Sequence, residues 1–233
     1  FANLHQLYDR RQDVELLLGW ADPPGVRRAV PDAVRRLAEQ VGSLGAGDEV
    51  DLLKVDVDNC DCCFVEELLA GGLRPRLIHA EVHSLIPPPV AFRPRLRQDF
   101  SQTSLSIKHG AAHLHCSLSA YIAMLEPLDY RLSHLVSRDA IFVRGDLAHV
   151  FPWIGAGSSS ADVAWRRGYR CHPQWRTKHE EPEYISAFSY DFRRWADVEL
   201  PIEERLTYIE QQLNCSGLAG YQLWVHGAGL EKP

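Results

Sequence analysis

The sequence predicts an α/β fold with a mostly parallel sheet and an appended C-terminal region. Val50–Val57 (VDLLKVDV) and Leu77–Val82 (LIHAEV) are apolar runs of strand length. Between them Cys62–Leu69 has apolar residues at 64, 65, 68 and 69, the spacing of a helix. Strand, helix and strand within residues 50–82 make a βαβ unit, whose strands are parallel and whose crossover is right-handed. A change of character after residue 150 sets the division: 1–150 holds the α/β domain, and 151–233 is an extension holding five of the six tryptophans.

Taken in order, Asp13–Trp20 (DVELLLGW) is a short apolar run read as a strand that stops at the turn formers Asp22-Pro23-Pro24-Gly25. Val30–Val41 is an amphipathic helix, with Pro31 at its start, Asp32 in its first turn and Val34, Leu37, Ala38 and Val41 on one face. Gly42–Gly47 is a turn feeding the first strand of the βαβ unit, and Gly71-Gly72 close its helix. After Ile86-Pro87-Pro88-Pro89 a polar, Arg-rich loop runs to about Gly110 and is expected to lie over the strand ends as a lid. Ser117–Leu128 is helical, Tyr130–Leu132 and Asp139–Arg144 are antiparallel strands closing the sheet edge, and Ile202–Leu213 is the clearest helix of the extension.

Composition narrows the function. The 233 residues are 45% hydrophobic and 24% charged, which excludes disorder and coiled coil. A formal charge of −6 without a basic block disfavours nucleic acid as a partner. No apolar stretch approaches the roughly 20 residues of a membrane span. The chain starts at Phe1 without a visible leader, so its true beginning is expected upstream. The six cysteines do not form a disulfide-scaffold pattern, which favours a reducing, cytoplasmic compartment. Cys60, Cys62 and Cys63 are expected to be buried small hydrophobes at a helix start. A zinc site is the lesser reading, with His109, His113 and His115 as the nearest additional ligands.

Function in a parallel sheet sits at the carboxyl ends of its strands, and polar residues crowd both ends here. Asp56 and Asp58 follow the first strand, where two carboxylates orient a polar substrate or hold a divalent metal; Asp58 or Asn59 equally suits the cap of the next helix. Lys54, two residues before Asp56, is placed to hold that carboxylate. Glu81 ends the second strand between Ala80 and Val82, and a carboxylate there needs a polar partner or ligand. His83 shares the face of Glu81 by strand periodicity and is a candidate general base, although a loop histidine bonded to backbone is the plainer role.

Together, Asp51–Asp61 (DLLKVDVDNCD), the helix behind it, Leu77–His83 (LIHAEVH) and Tyr130–Arg144 (YRLSHLVSRDAIFVR) resemble the carboxyl-terminal half of the FkbM-type S-adenosylmethionine-dependent methyltransferases. The resemblance covers residues 13–145. It implies that residues 1–150 are a partial Rossmann-like domain with a class I methyltransferase-like sheet, N-terminally incomplete, in which Asp56, Asp58 and Asn59 end the fourth strand, beside methyl donor and acceptor. Glu81 and His83 would end the fifth strand beside the acceptor. It further implies S-adenosylmethionine as cofactor with Asp56 contacting it, transfer of its methyl to a hydroxyl of a small molecule or glycan, and Asp56 or His83 as the proton acceptor. The glycine-rich cofactor loop and the acid that holds the ribose hydroxyls are expected before Phe1. The competing reading is a nucleotide-sugar glycosyltransferase in which Asp56-Val57-Asp58 binds a divalent metal against a diphosphate. A non-catalytic module that binds through its Trp-rich tail ranks third.

Overall fold

A computed structural model of the chain describes residues 13–15, 17, 22–41, 50–57, 60–96, 115–151, 160–173, 192–195, 197, 199–215 and 220–227. Most of Asp13–Trp20, the Gly42–Gly47 turn, Asp58, Asn59, His109, His113 and the Arg-rich segment beyond residue 96 lie outside them.

The helix expected at Val30 opens seven residues earlier, as α1 (Pro23–Val41). The cluster expected to end a strand is its start: Asp22 Oδ1 accepts the Gly25 N–H at 2.5 Å, and Pro23 and Pro24 occupy first-turn positions that need no N–H partner. Pro31 therefore lies inside the helix, where it has no N–H to give the Arg27 carbonyl. The end of the next helix packs at that spot. A Cβ on Gly71 would come within 2.6 Å of Arg27 O, so only glycine permits this approach.

The predicted βαβ unit is present. β1 (Leu52–Val55) and β2 (Leu77–Glu81) are parallel neighbours, Leu52 opposite Leu77 and Val55 opposite Ala80, joined through α2 (Asp61–Ala70). Phe64, Val65, Leu68 and Leu69 bury one face of α2, while Ile78 and Ala80 of β2 are wholly buried. Cys60 holds the N-cap position in a left-handed conformation (φ 48°) and makes no side-chain cap bond.

The third and fourth sheet positions come from the predicted hairpin, β4 (Tyr130–Val136) and β5 (Asp139–Arg144), which turns through Ser137 and Arg138 with Ser137 at φ 57°. β5 inserts beside β2, giving the order β1-β2-β5-β4. This corrects the expectation of a mostly parallel sheet. Among the described residues one pairing of this sheet is parallel and two are antiparallel: the two-residue turn makes β4 and β5 antiparallel, and β5 enters beside β2 antiparallel to it. β1, β2 and β4 run one way and β5 the other. The fold is thus α/β with a small mixed sheet.

A second correction concerns the predicted loop after Pro89. Val90–Pro94 is strand β3, paired antiparallel with β6 (Tyr221–Val225), so the first part of the supposed lid is sheet. β3 is short, and its pairing partner is over a hundred residues away, so local pattern did not reveal it. Helix α3 (Leu118–Leu125) starts where expected, with Ser117 Oγ accepting the Ala120 N–H at 3.3 Å. The extension supplies α4 (Ala161–Trp165), α5 (Phe192–Trp195) and α6 (Ile202–Cys215). Residues on both sides of position 150 share one apolar cluster, in which Trp165, Trp195, Ile209 and Leu213 join Phe92, Tyr121 and Phe142. Trp165 Nε1 donates to the Ser84 carbonyl at 2.6 Å. Among the described residues no helix is long and apolar enough to cross a membrane.

Candidate functional site

The carboxyl ends of β1 and β2 lie side by side, as the sequence predicts, and each carries its acid. Asp56 directly follows β1. Its Oδ2 accepts from Lys54 Nζ at 2.8 Å, the contact expected from their spacing, and its side chain is 46% exposed. The bond from Lys54 holds the Asp56 carboxyl below the ordinary carboxylate range and raises the lysine in turn. Asp56 is therefore a half-exposed, ionised acid, with Oδ2 engaged and Oδ1 on the other side of the carboxylate.

Glu81 closes β2 and is mostly buried, at 15% exposure. It stands opposite Asp139 of β5, an arrangement of like charges that costs energy unless each acid is matched. Both are. Arg138, in the hairpin turn, pairs with Glu81, and His79 Nε2 lies 2.8 Å from Asp139 Oδ1. Backbone bonds fix that turn against the strand end: Val82 N donates to Arg138 O at 2.7 Å, and Ser84 Oγ to Ser137 O at 3.0 Å. The partner predicted for Glu81 is thus a turn residue nearly sixty positions downstream, invisible to local pattern.

His115 and Asp61 complete the site. Asp61, fully buried in the first turn of α2, has Oδ2 3.3 Å from His115 Nδ1, and its Oδ1 accepts the Val57 N–H at 3.3 Å. The other ring nitrogen of His115, Nε2, lies 3.7 Å from Glu81 Oε1. Burial opposes the charged form of this imidazole. The bond to Asp61 and the fields of Glu81 and Asp61 outweigh it, and the His115 pKa is raised above its ordinary value. The chain Asp61–His115–Glu81–Arg138 links the start of α2, the end of β2, the hairpin turn and the segment before α3.

His83 is placed differently from a group at an open strand end. It is 3% exposed, its ring packs edge-on against Phe92 at 5.5 Å and beside Trp195 at 6.4 Å, and its backbone N–H donates to Cys116 O at 2.8 Å. Asp58 and Asn59 lie outside the described residues. No protein-family model, curated protein or solved structure matches this chain. The site is accordingly read from its own geometry.

The cysteines depart from expectation. Cys60 is bonded to Cys63 and Cys62 to Cys116, so the trio and a fourth, distant residue are paired rather than acting as small hydrophobes. Cys116 immediately follows His115, and this adjacency ties the loop after β1 to the segment carrying the imidazole.

A cavity of about 450 Å³ lies elsewhere, lined in part by Ile122, Glu126, Tyr130, Phe142, Ser160 and His226. Tyr130 begins β4 opposite Arg144, at the end of the sheet away from Glu81 and Asp139, so this cavity does not adjoin the acids.

Proposed function

We propose that the chain is the acceptor-side half of an S-adenosylmethionine-dependent methyltransferase that methylates a hydroxyl group of a small molecule or sugar. The observation that supports this most is the pairing of two adjacent parallel strands that end in Asp56 and Glu81, with an antiparallel hairpin closing the sheet beside them. That order of strands and acids is what the FkbM-type resemblance implies. β1 has a strand on one side only among the described residues, and Leu52 on it is half exposed. Its open side is where the resemblance puts the cofactor-binding strands.

When bound, S-adenosylmethionine supplies an electrophilic methyl on a positively charged sulfur. The residues here fit such a group: Asp56 is ionised and half exposed at the strand end, a place that favours a cation over an anion. Lys54 keeps the Asp56 carboxylate charged and oriented, and Oδ1 is the atom that accepts the hydrogen bond, and then the proton, of an acceptor hydroxyl. The buried Asp61–His115–Glu81 chain positions the two strand ends relative to each other.

The test is methyl transfer from methyl-labelled S-adenosylmethionine to a panel of hydroxylated small molecules and sugars, using the chain extended upstream of Phe1. Transfer that falls about 100-fold or more in Asp56→Ala, with the fold intact, supports the reading. Transfer indifferent to that change removes Asp56 from the mechanism.

A further inference from the structure

We propose that Cys60, Cys62, Cys63 and Cys116 form a zinc site in the reduced protein, and that the two disulfides are the oxidised form of that same site. The geometry points to it independently of the methyltransferase reading. The three wholly or nearly buried sulfurs, those of Cys60, Cys62 and Cys116, lie within 4.8 Å of one another. Cys63 is bonded to Cys60, which places all four sulfurs in one cluster. In a tetrahedral zinc tetrathiolate, Zn–S bonds of about 2.3 Å put neighbouring sulfurs roughly 3.8 Å apart. The Cys60 and Cys62 sulfurs, which belong to different disulfides, are 4.0 Å apart. The Cα separations of the two bonded pairs, 5.4 and 6.1 Å, let each sulfur pair open to that spacing by side-chain rotation.

The backbone is arranged to converge these sulfurs. Cys60 adopts a left-handed conformation, uncommon for a residue with a Cβ, directly before α2, and Cys62 and Cys63 follow on the helix's first turn. Cys116 is brought to them from 54 residues away by its neighbour Ser117, whose N–H donates to Phe92 O at 2.9 Å and whose Oγ accepts the Phe92 N–H at 2.9 Å. A guanidinium adjoins the cluster. Arg93 Nη2, which also pairs with Glu66 Oε2, is 3.6 Å from Cys63 Sγ, within reach of a thiolate there. Soft sulfur donors in a buried site select zinc over the hard cations that carboxylates hold.

The conversion balances. Two molecules of a dithiol reductant deliver four electrons and four protons to the two disulfides, giving four thiols and two oxidised reductant molecules. One Zn²⁺ then displaces four protons to solvent and is held by four thiolates. In reverse, two molecules of hydrogen peroxide and four protons convert the tetrathiolate to two disulfides, four waters and a released Zn²⁺. Because Cys62 stands beside Asp61 on the first turn of α2 and Cys116 follows His115, either form staples these two segments of the candidate site together.

The experiment reduces the whole chain with a dithiol, removes the reductant without air and titrates it with Co²⁺ and then Zn²⁺. Expected are one equivalent of Co²⁺ with intense thiolate charge-transfer absorption and the visible bands of a tetrahedral ion, displacement by one Zn²⁺, and release of that Zn²⁺ by peroxide as four thiols disappear. Cys116→Ser is expected to weaken Co²⁺ binding at least 100-fold, whereas Cys171→Ser, at the exposed free cysteine, leaves it unchanged. Should the reduced chain lose its fold, recovery of its circular dichroism on adding Zn²⁺ supports the site equally. The proposal is overturned if the reduced chain takes up no metal, if Cys116→Ser binds as tightly as the parent, or if peroxide leaves the metal bound.

Discussion

His115 Nδ1 lies 3.3 Å from Asp61 Oδ2, with both side chains withdrawn from solvent, although 54 positions separate them in the chain. The pair connects the first turn of α2 to the segment entering α3, and through His115 Nε2 it reaches Glu81 at the end of β2. A buried ion pair of this kind holds elements in register more than it adds stability, but removing one partner leaves the other buried with its charge less well matched.

Asp61→Ala is accordingly expected to cost about 3 kcal/mol in urea denaturation, and His115→Ala a similar amount. The double substitution is expected to cost at least about 1 kcal/mol less than the sum of the two, since the second change removes a group that has already lost its partner across the pair. Additive losses would mean that the two side chains do not act as a pair.

At Gly168, a Cβ would overlap the carbonyl oxygen of Leu135 in β4, and the neighbouring Gly168 carbonyl accepts the Ser137 N–H at 2.7 Å in the hairpin turn. Gly168→Ala is expected to destabilise by about 2 kcal/mol and to lower the melting temperature by several degrees. An unchanged melting temperature would show that the extension does not press on the hairpin in this way.

Tyr130 donates its hydroxyl to Pro75 O at 2.8 Å, and burial raises its pKa to about 12. A folded-state value above the unfolded one means that this stabilisation is complete below the ordinary tyrosine pKa of about 10, and is lost as pH climbs from there through 12. Ultraviolet titration is expected to show one phenol ionising about two units late, absent in Tyr130→Phe. The parent is expected to lose stability more steeply than that variant between about pH 10 and 12.

Lys54→Met removes the cation that keeps Asp56 ionised below the usual carboxylate range. With a lowered pKa, Asp56 stays charged as pH falls, so the acid limb of the methyl-transfer profile is expected to lie below the ordinary carboxylate value in the parent. It is expected to move up toward that value in Lys54→Met. An acid limb that does not move would place the controlling ionisation elsewhere.

The parts of this molecule legible in sequence are those set by local periodicity. The apolar runs at 50–57 and 77–82, the helix at 62–69 and the hairpin strand Asp139–Arg144 follow from spacing, and the Lys54–Asp56 contact follows from strand alternation. What escaped depends on distance along the chain. Asp61 looks like an ordinary acid at a helix start until His115 is folded against it, and Cys116 pairs with a cysteine 54 residues away. Pro31 suggested a helix start, and only the Asp22 cap and the close approach of Gly71 show why the helix begins earlier and runs through it. His83 obeys strand alternation to the end of β2 and then turns in among Phe92 and Trp195, a position set by a residue of the extension.

The central claim is that the Asp56 and Glu81 strand ends serve methyl transfer. Calorimetric titration tests it most directly, with S-adenosylhomocysteine and separately with UDP plus manganese, on this chain and on the chain extended upstream of Phe1. S-adenosylhomocysteine binding by the extended chain, with no manganese-dependent UDP binding by either, is the expected result. UDP binding that requires manganese and vanishes in Asp58→Ala would contradict it and assign the acids to a nucleotide-sugar glycosyltransferase.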